Sequence, residues 1–262
     1  VESDLLWDLV RGLEIVLVKT FCRPKVSKVL ERTGKSQPHG QQRYDDTSSI
    51  FLAMMNYGLG SDKGGAALAK MNGIHSKFTI GNKDFLYVLA GASFAPVEWV
   101  DRYAYGPLSG GERAAYFNFR IHVGQRMGLR DVPQTVPELQ RFRQTYESEN
   151  FGFAHSNRVM YESVVDVVKS WFPPPLRVLP ADALVASFVG EPASSALGLK
   201  RPLPAPARVA LRSALHARSQ SGRARFAVRS KVHPLGRATS PEAGTGVERR
   251  GGCPFGFHRS TR

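Results

Sequence analysis

Arg43-Tyr44-Asp45-Asp46-Thr47, Lys70-Met71-Asn72-Gly73-Ile74-His75 and Asp84-Phe85-Leu86-Tyr87-Val88 punctuate residues 42 to 105, the stretch that decides the fold. Arg43, Asp46 and Thr47 stand at i, i+3 and i+4, so a helix here places all three on one face. Ile50, Phe51, Met54 and Met55 follow at the same spacing. The polar face therefore borders a core-facing one and could line a pocket. It suits equally an Arg–Asp pair at a helix start, with Thr47 as cap. Ser61 reads as the N-cap of a second helix, with Asp62 favourable in its first turn. Ala67, Met71, Ile74 and Phe78 then form one apolar stripe with His75 beside it. A histidine there has two readings: a core imidazole hydrogen-bonded to backbone, or the axial ligand of a buried metal or haem. The segment from Asp84 to Ser93 is apolar nearly all round and predicts a buried helix capped by Asn82. Pro96 is expected to open a separate helix through Tyr103, with Trp99 inward.

Outward from this centre the chain predicts more helices. Residues 3 to 20 carry the stripe Leu6, Leu9, Val10, Leu13 and Leu17, with Ser3 or Asp4 as cap, and Pro24 stops them. A short helix covers 24 to 33, and 34 to 42 form a polar loop with His39. Gly64 and Gly65 permit close backbone approach, for a flat cofactor or simply for tight helix packing. Ser109-x-x-Glu112 and Thr135-x-x-Glu138 are capping boxes that open helices to Met127 and Glu149. Residues 151 to 171 predict a further helix with Phe153, Val159, Val164, Val168 and Trp171 on its inner stripe. Pro173-Pro174-Pro175 ends it. Short helices are expected at 181 to 190 and, basic and amphipathic, at 205 to 218. His122 and His155 compete with His75 as ligands; His122 lies among Arg120, Gln125 and Arg126, which suggests a polar edge. No sustained strand-like alternation occurs, so the fold class is all-α.

Charge divides the 262-residue chain unevenly. Residues 200 to 262 carry 14 Lys and Arg against 2 Asp and Glu, whereas the preceding 199 carry 22 and 20. The expectation is a nearly neutral helical domain over 1–199 and a basic, Pro/Arg-rich, poorly ordered tail over 200–262. Cys22 and Cys253 are too few and too far apart for a disulfide framework or a cysteine metal site. No run of 18 apolar residues indicates a spanning helix, and Glu2-Ser3-Asp4 is not a signal-peptide start. A cytoplasmic or membrane-peripheral location is expected. There is no phosphate-cradling glycine loop, no Gly-x-Ser-x-Gly elbow, no His-Glu-x-x-His and no Cys-x-x-Cys-His, so the nucleotide, hydrolase, zinc-protease and c-type haem readings lack their signatures.

Arg43-x-x-Asp46-Thr47, Met71-Asn72-x-x-His75 and Asn82-x-Asp84-Phe85-Leu86-Tyr87-Val88-Leu89 together resemble the catalytic domain shared by mpaB-type oxygenases and the latex clearing protein, or rubber oxygenase. Pro24-x-Val26, Thr33-Gly34, Pro96-Val97-x-Trp99, Glu112-Arg113, Gly124-Gln125-Arg126-Met127-Gly128, Asp131-Val132-Pro133, Tyr146-Glu147 and Asn157 follow in the family's order. Each motif is short; their order and spacing carry the resemblance, over about residues 8 to 200. The family's closing Tyr-Pro-x-Gly-Tyr element has only a faint echo in Cys253-Pro254-Phe255-Gly256-Phe257.

The resemblance implies a globin-like helical bundle around haem b, with His75 as the proximal iron ligand and Arg43 and Thr47 in the distal motif. Asp46 stands where the rubber enzymes carry lysine, as in the mpaB branch, so a lysine that could reach iron from the distal side is absent. The implied chemistry is oxidoreductase: dioxygen added to a hydrophobic, unsaturated, isoprenoid-like substrate, with oxidative cleavage of a carbon–carbon double bond. Arg43 would place a charge-assisted hydrogen bond on oxygen, Asp46 would orient Arg43 or move a proton, and Thr47 would donate or fix a water. Two other readings stand beside it. One is a haem protein of sensor or peroxidase-like type; the other is a non-haem helical binding protein whose basic tail meets nucleic acid or membrane. The oxygenase reading expects no nucleic-acid partner.

Overall fold

The computed structural model describes residues 5–33, 40–170, 177 and 180–220, apart from the side chains of residues 6, 33 and 40–43. All regular structure among them is helical: α1 (Leu6–Thr20), α2 (Pro24–Thr33), α3 (Gly40–Tyr57), α4 (Asp62–His75), α5 (Asn82–Tyr103), α6 (Gly110–Arg126), α7 (Val136–Asn150), α8 (His155–Ser170), α9 (Ala181–Val189), α10 (Ala193–Ala196) and α11 (Ala205–Gln220). Three of the N-terminal signals act as written, whereas Asn82, expected as a cap, is the first residue inside α5, whose N-cap is Gly81. Ser61 Oγ accepts from Gly64 N at 3.0 Å, and Ser109 and Thr135 form both capping boxes with Glu112 and Glu138. Ser3, Asp4, His39, the Pro173–Pro175 run and Trp171 lie outside the described residues.

α5 is the axis. α1, α6, α7 and α11 all pack on it, α3 pairs with α4, and α2 packs on α8. The two helices expected on either side of Pro96 are one, with Pro96 inside it. Proline removes the N–H that would reach the carbonyl four residues back. Here Tyr116 of α6 donates its hydroxyl to that carbonyl, Ala92 O, at 3.0 Å, so the break is repaired from outside the helix. The close face of the same turn is cleared by a glycine: a Cβ on Gly12 of α1 would collide with the Pro96 backbone. One turn away, a Cβ on Gly91 would meet Val16 Cγ1 at 2.9 Å.

Several of the short motifs quoted above meet in buried polar contacts between α1, α2, α5, α7 and α8. Asp84, 5% exposed, accepts from Gly81 N at 3.2 Å, ion-pairs with Arg23 and accepts from the Tyr146 hydroxyl at 2.5 Å. Tyr87 donates to Glu147 at 2.9 Å, and Lys19 reaches the same carboxylate at 3.1 Å. Asn157, fully buried, accepts from Ser27 Oγ at 2.5 Å and donates to Gly152 O and Ala196 O, each at 2.8 Å. Gly152 N also donates to Cys22 O, at 3.2 Å. These bonds hold the backbone before residue 155, so α8 starts at His155 and not at 151. Phe153, expected on its inner stripe, is 64% exposed.

The basic amphipathic helix expected near 205 forms as α11 and docks on the core. Arg218 donates to both oxygens of Asp8 at 3.0 Å, and its guanidinium stacks 3.5 Å above the Trp7 ring. Asp8, 1% exposed, also accepts from Trp99 Nε1 at 3.0 Å. Ser219 Oγ takes the Tyr105 N–H and His216 Nδ1 meets Ala104 O, each at 2.9 Å. The remainder of the basic stretch, from residue 221, lies outside the described residues.

Gly12→Ala should cost about 1–3 kcal/mol or more, because backbone cannot yield to the new methyl. Gly73→Ala, whose Cβ meets nothing within 4 Å on exposed α4, should gain up to about 1 kcal/mol, both read from urea unfolding. Arg218→Ala should cost roughly 3 kcal/mol in the same assay, because it strands a buried carboxylate; Asp8→Asn should cost less.

Candidate functional site

α3 and α4 form a hairpin whose open end carries the candidate site. Gly58, at φ +72°, and the Ser61 cap make the turn between them. A Cβ on Gly64 would strike Gly58 O, so this glycine serves tight packing of the turn. Tyr44 anchors the open end by donating to Glu14 of α1 at 2.7 Å, while Arg11 donates to Tyr44 at 3.1 Å.

His75 ends α4. Its ring lies 4.7 Å from that of Phe85, which follows the buried Asp84 at the start of α5. Nδ1 is buried and has no hydrogen-bond partner. That departs from the backbone-satisfied core histidine that was one reading of the sequence. Burial lowers the imidazole pKa to about 4, so the ring is neutral at physiological pH. Ile74 belongs to the apolar core formed by Ile50, Met54, Leu68, Leu86 and Leu89, with Phe51, Met71, Phe78 and Phe119 packed against its edge.

Arg43, Asp46 and Thr47 all come from α3. Asp46 Oδ1 is 3.7 Å from Lys70 Nζ across the hairpin, and their side chains are 41% and 56% exposed. The described carboxylate thus faces a lysine of α4. Thr47 is exposed and also takes part in an interaction. The Arg43 backbone lies in α3, but its side chain lies outside the described residues. The hairpin brings Asp46 one and a half turns from His75, through Lys70, without direct contact between the two. The competing histidines His122 and His155 are both solvent-exposed.

One residue read as polar edge is not. Arg120 is 3% exposed. Its guanidinium lies 4.2 Å from the Phe51 ring centroid, 4.9 Å from Tyr116 and 5.6 Å from Phe119. Nη2 donates to the Tyr116 hydroxyl at 2.7 Å, and Nε is buried without a partner. The available signal was the i, i+4 spacing of Tyr116 and Arg120 beside Phe119 and Ile121, which puts the arginine on the inner face.

The profile of the family described as "ER-bound oxygenase mpaB/B'/Rubber oxygenase, catalytic domain" matches residues 15–219. The chain belongs to this family. The ER-bound oxygenase mpaB of Penicillium roqueforti (strain FM164) is 27% identical over 156 residues, covering 53% of this chain and 52% of the relative. Those of Penicillium brevicompactum, mpaB and mpaB', are each 25% identical over 154 residues, covering 52% of this chain and 39% and 36% of the relatives. The chain thus spans about half or less of the length of the curated relatives it matches. The family span includes α11 as well as the α3–α4 hairpin and the buried network. Among the described residues no helix is long and apolar enough to cross a membrane.

Because the folded His75 pKa lies below the usual 6.5, the native state binds fewer protons than the unfolded chain between those values. Its stability contribution is complete above pH 6.5 and is lost as pH falls toward 4. The protein should therefore lose of order 2 kcal/mol across this window, after allowance for partial exposure. Urea titrations at pH 7 and 4.5 should show a smaller loss in His75→Gln.

Proposed function

We propose that this chain is a haem b-dependent oxygenase that uses dioxygen on a hydrophobic, unsaturated, isoprenoid-like substrate and cleaves a carbon–carbon double bond. The observation that carries the reading is His75: a neutral imidazole with a buried, unpartnered nitrogen, at the position to which the resemblance assigns the iron ligand. The residues present fit the group. Among the described residues no three His, Cys, Asp or Glu side chains converge on a bare metal ion, whereas a haem needs a single imidazole from the protein. When bound, haem b supplies the iron at which dioxygen is activated.

The chain's own residues would do the rest. His75 would hold the iron, and Phe85 limits rotation of its ring. Met71, Phe78 and Phe51 supply apolar surface that excludes water and suits a lipophilic substrate. Arg43, one turn before Asp46 and Thr47 on α3, is the proposed hydrogen-bond donor to oxygen. Asp46 is the proposed proton carrier, its charge balanced by Lys70. Thr47 is the proposed neutral donor. Cleavage places one oxygen atom of dioxygen on each carbon of the former double bond, so the reaction balances without a further reductant. The relatives' description as ER-bound supports a membrane-peripheral location, where such substrates partition.

The protein expressed with haem should show a Soret band that is lost or strongly shifted in His75→Ala. Dioxygen uptake with squalene as probe should fall at least tenfold in Arg43→Ala. A parent protein without a Soret band would overturn the proposal. A haem-loaded parent inert toward dioxygen with all unsaturated lipids tested would favour the sensor alternative.

A further inference from the structure

Arg120 carries a charge that the described protein does not neutralise. Guanidinium stays protonated under all ordinary conditions, and a buried charge is normally matched by a carboxylate. Every other strongly buried ionic group described here obeys that rule: Asp8 has Arg218, and Asp84 has Arg23. Around Arg120, among the described residues, no carboxylate lies within ion-pair distance. It has the Tyr116 hydroxyl and three ring faces, which hold a cation in place but leave its net charge and the Nε donor unmet. Tyr116 is itself committed to the Ala92 carbonyl opposite Pro96, so this arrangement is fixed to the axis of the fold.

The position is as informative as the charge. Phe51 and Phe119, two of the rings on the guanidinium, pack on the same apolar core as Ile74, the neighbour of His75. Asp46 and Lys70 set the hairpin register. From that level Phe51 lies five residues toward the turn, and His75 five residues the other way. At 1.5 Å per residue the two levels are about 15 Å apart. An imidazole, half a porphyrin with its propionate arm and an arginine side chain together bridge such a span.

We infer that Arg120 is the receptor for a carboxylate of the ligand seated against His75, namely a propionate of haem. The inference rests on the haem reading above and adds an orientation: the propionate edge would point toward α6, and the arginine would bind it without touching the reacting atoms. A planar guanidinium held by three rings is pre-organised to accept a carboxylate through two parallel hydrogen bonds.

The test titrates haem b and its dimethyl ester into the haem-free full-length chain and follows the Soret band. The wild type should bind the free acid at least tenfold more tightly than the diester. Arg120→Met should reduce that preference to less than threefold, chiefly by weakening the free acid. Should Arg120→Met fail to fold by circular dichroism, Arg120→Lys decides. An ammonium cannot offer the planar fork, so the preference should fall at least threefold. A wild type indifferent to esterification, or a preference unchanged in both Arg120 variants, would overturn the inference while leaving the haem reading standing. No Soret band with either haem would remove both.

Discussion

Pro96 sits in the middle of the longest helix and withholds a hydrogen bond there. The freed carbonyl of Ala92 is buried, so the helix persists only because another element brings a donor to it. That donor is the Tyr116 hydroxyl, which fixes the distance and rotation of α6 against α5. The same hydroxyl receives the Arg120 guanidinium. On the opposite side, the backbone at Pro96 comes so close to α1 that residue 12 has to be glycine. One missing N–H thus sets the placement of α1, α5 and α6.

The second organising feature is polar. Buried carboxylates and amides specify geometry more sharply than apolar contacts, because each misplaced partner leaves a desolvated group unmet. Asp84 caps α5, binds Arg23 and receives Tyr146; Asn157 gathers Ser27, Gly152 and Ala196. Asp84, Tyr146 and Asn157 belong to the short motifs that carry the resemblance, yet they stand in a structural network and not at the open end of the hairpin. Phe85, directly after Asp84, is where the network reaches the site, by fixing the ring against which His75 lies. The order of short motifs therefore reports the frame that aims the histidine.

α11 closes the molecule through a different buried charge. Asp8 has its pKa raised by burial, an effect opposed by Arg218 and by its hydrogen bond from Trp99. The pairing ties residue 218 to residue 8 and carries the basic segment onto α1 and α5. Net charge gave no sign of this, since composition counts a buried arginine and a solvated one alike.

The sequence alone determined the helical class and ten of the helices, with several of their caps. These rest on local physics: capping side chains bond within their own turn, and apolar spacing repeats with the helix period. Local physics also misled. Pro96 reads as a helix start, because the hydroxyl that repairs the break comes from twenty residues away. Phe153 reads as core, because the bonds that delay α8 come from Asn157 and Cys22. Arg120 reads as polar edge, because only the approach of α3 places Phe51 on its guanidinium. In each case the deciding partner is distant in sequence, and tertiary packing alone fixes its distance.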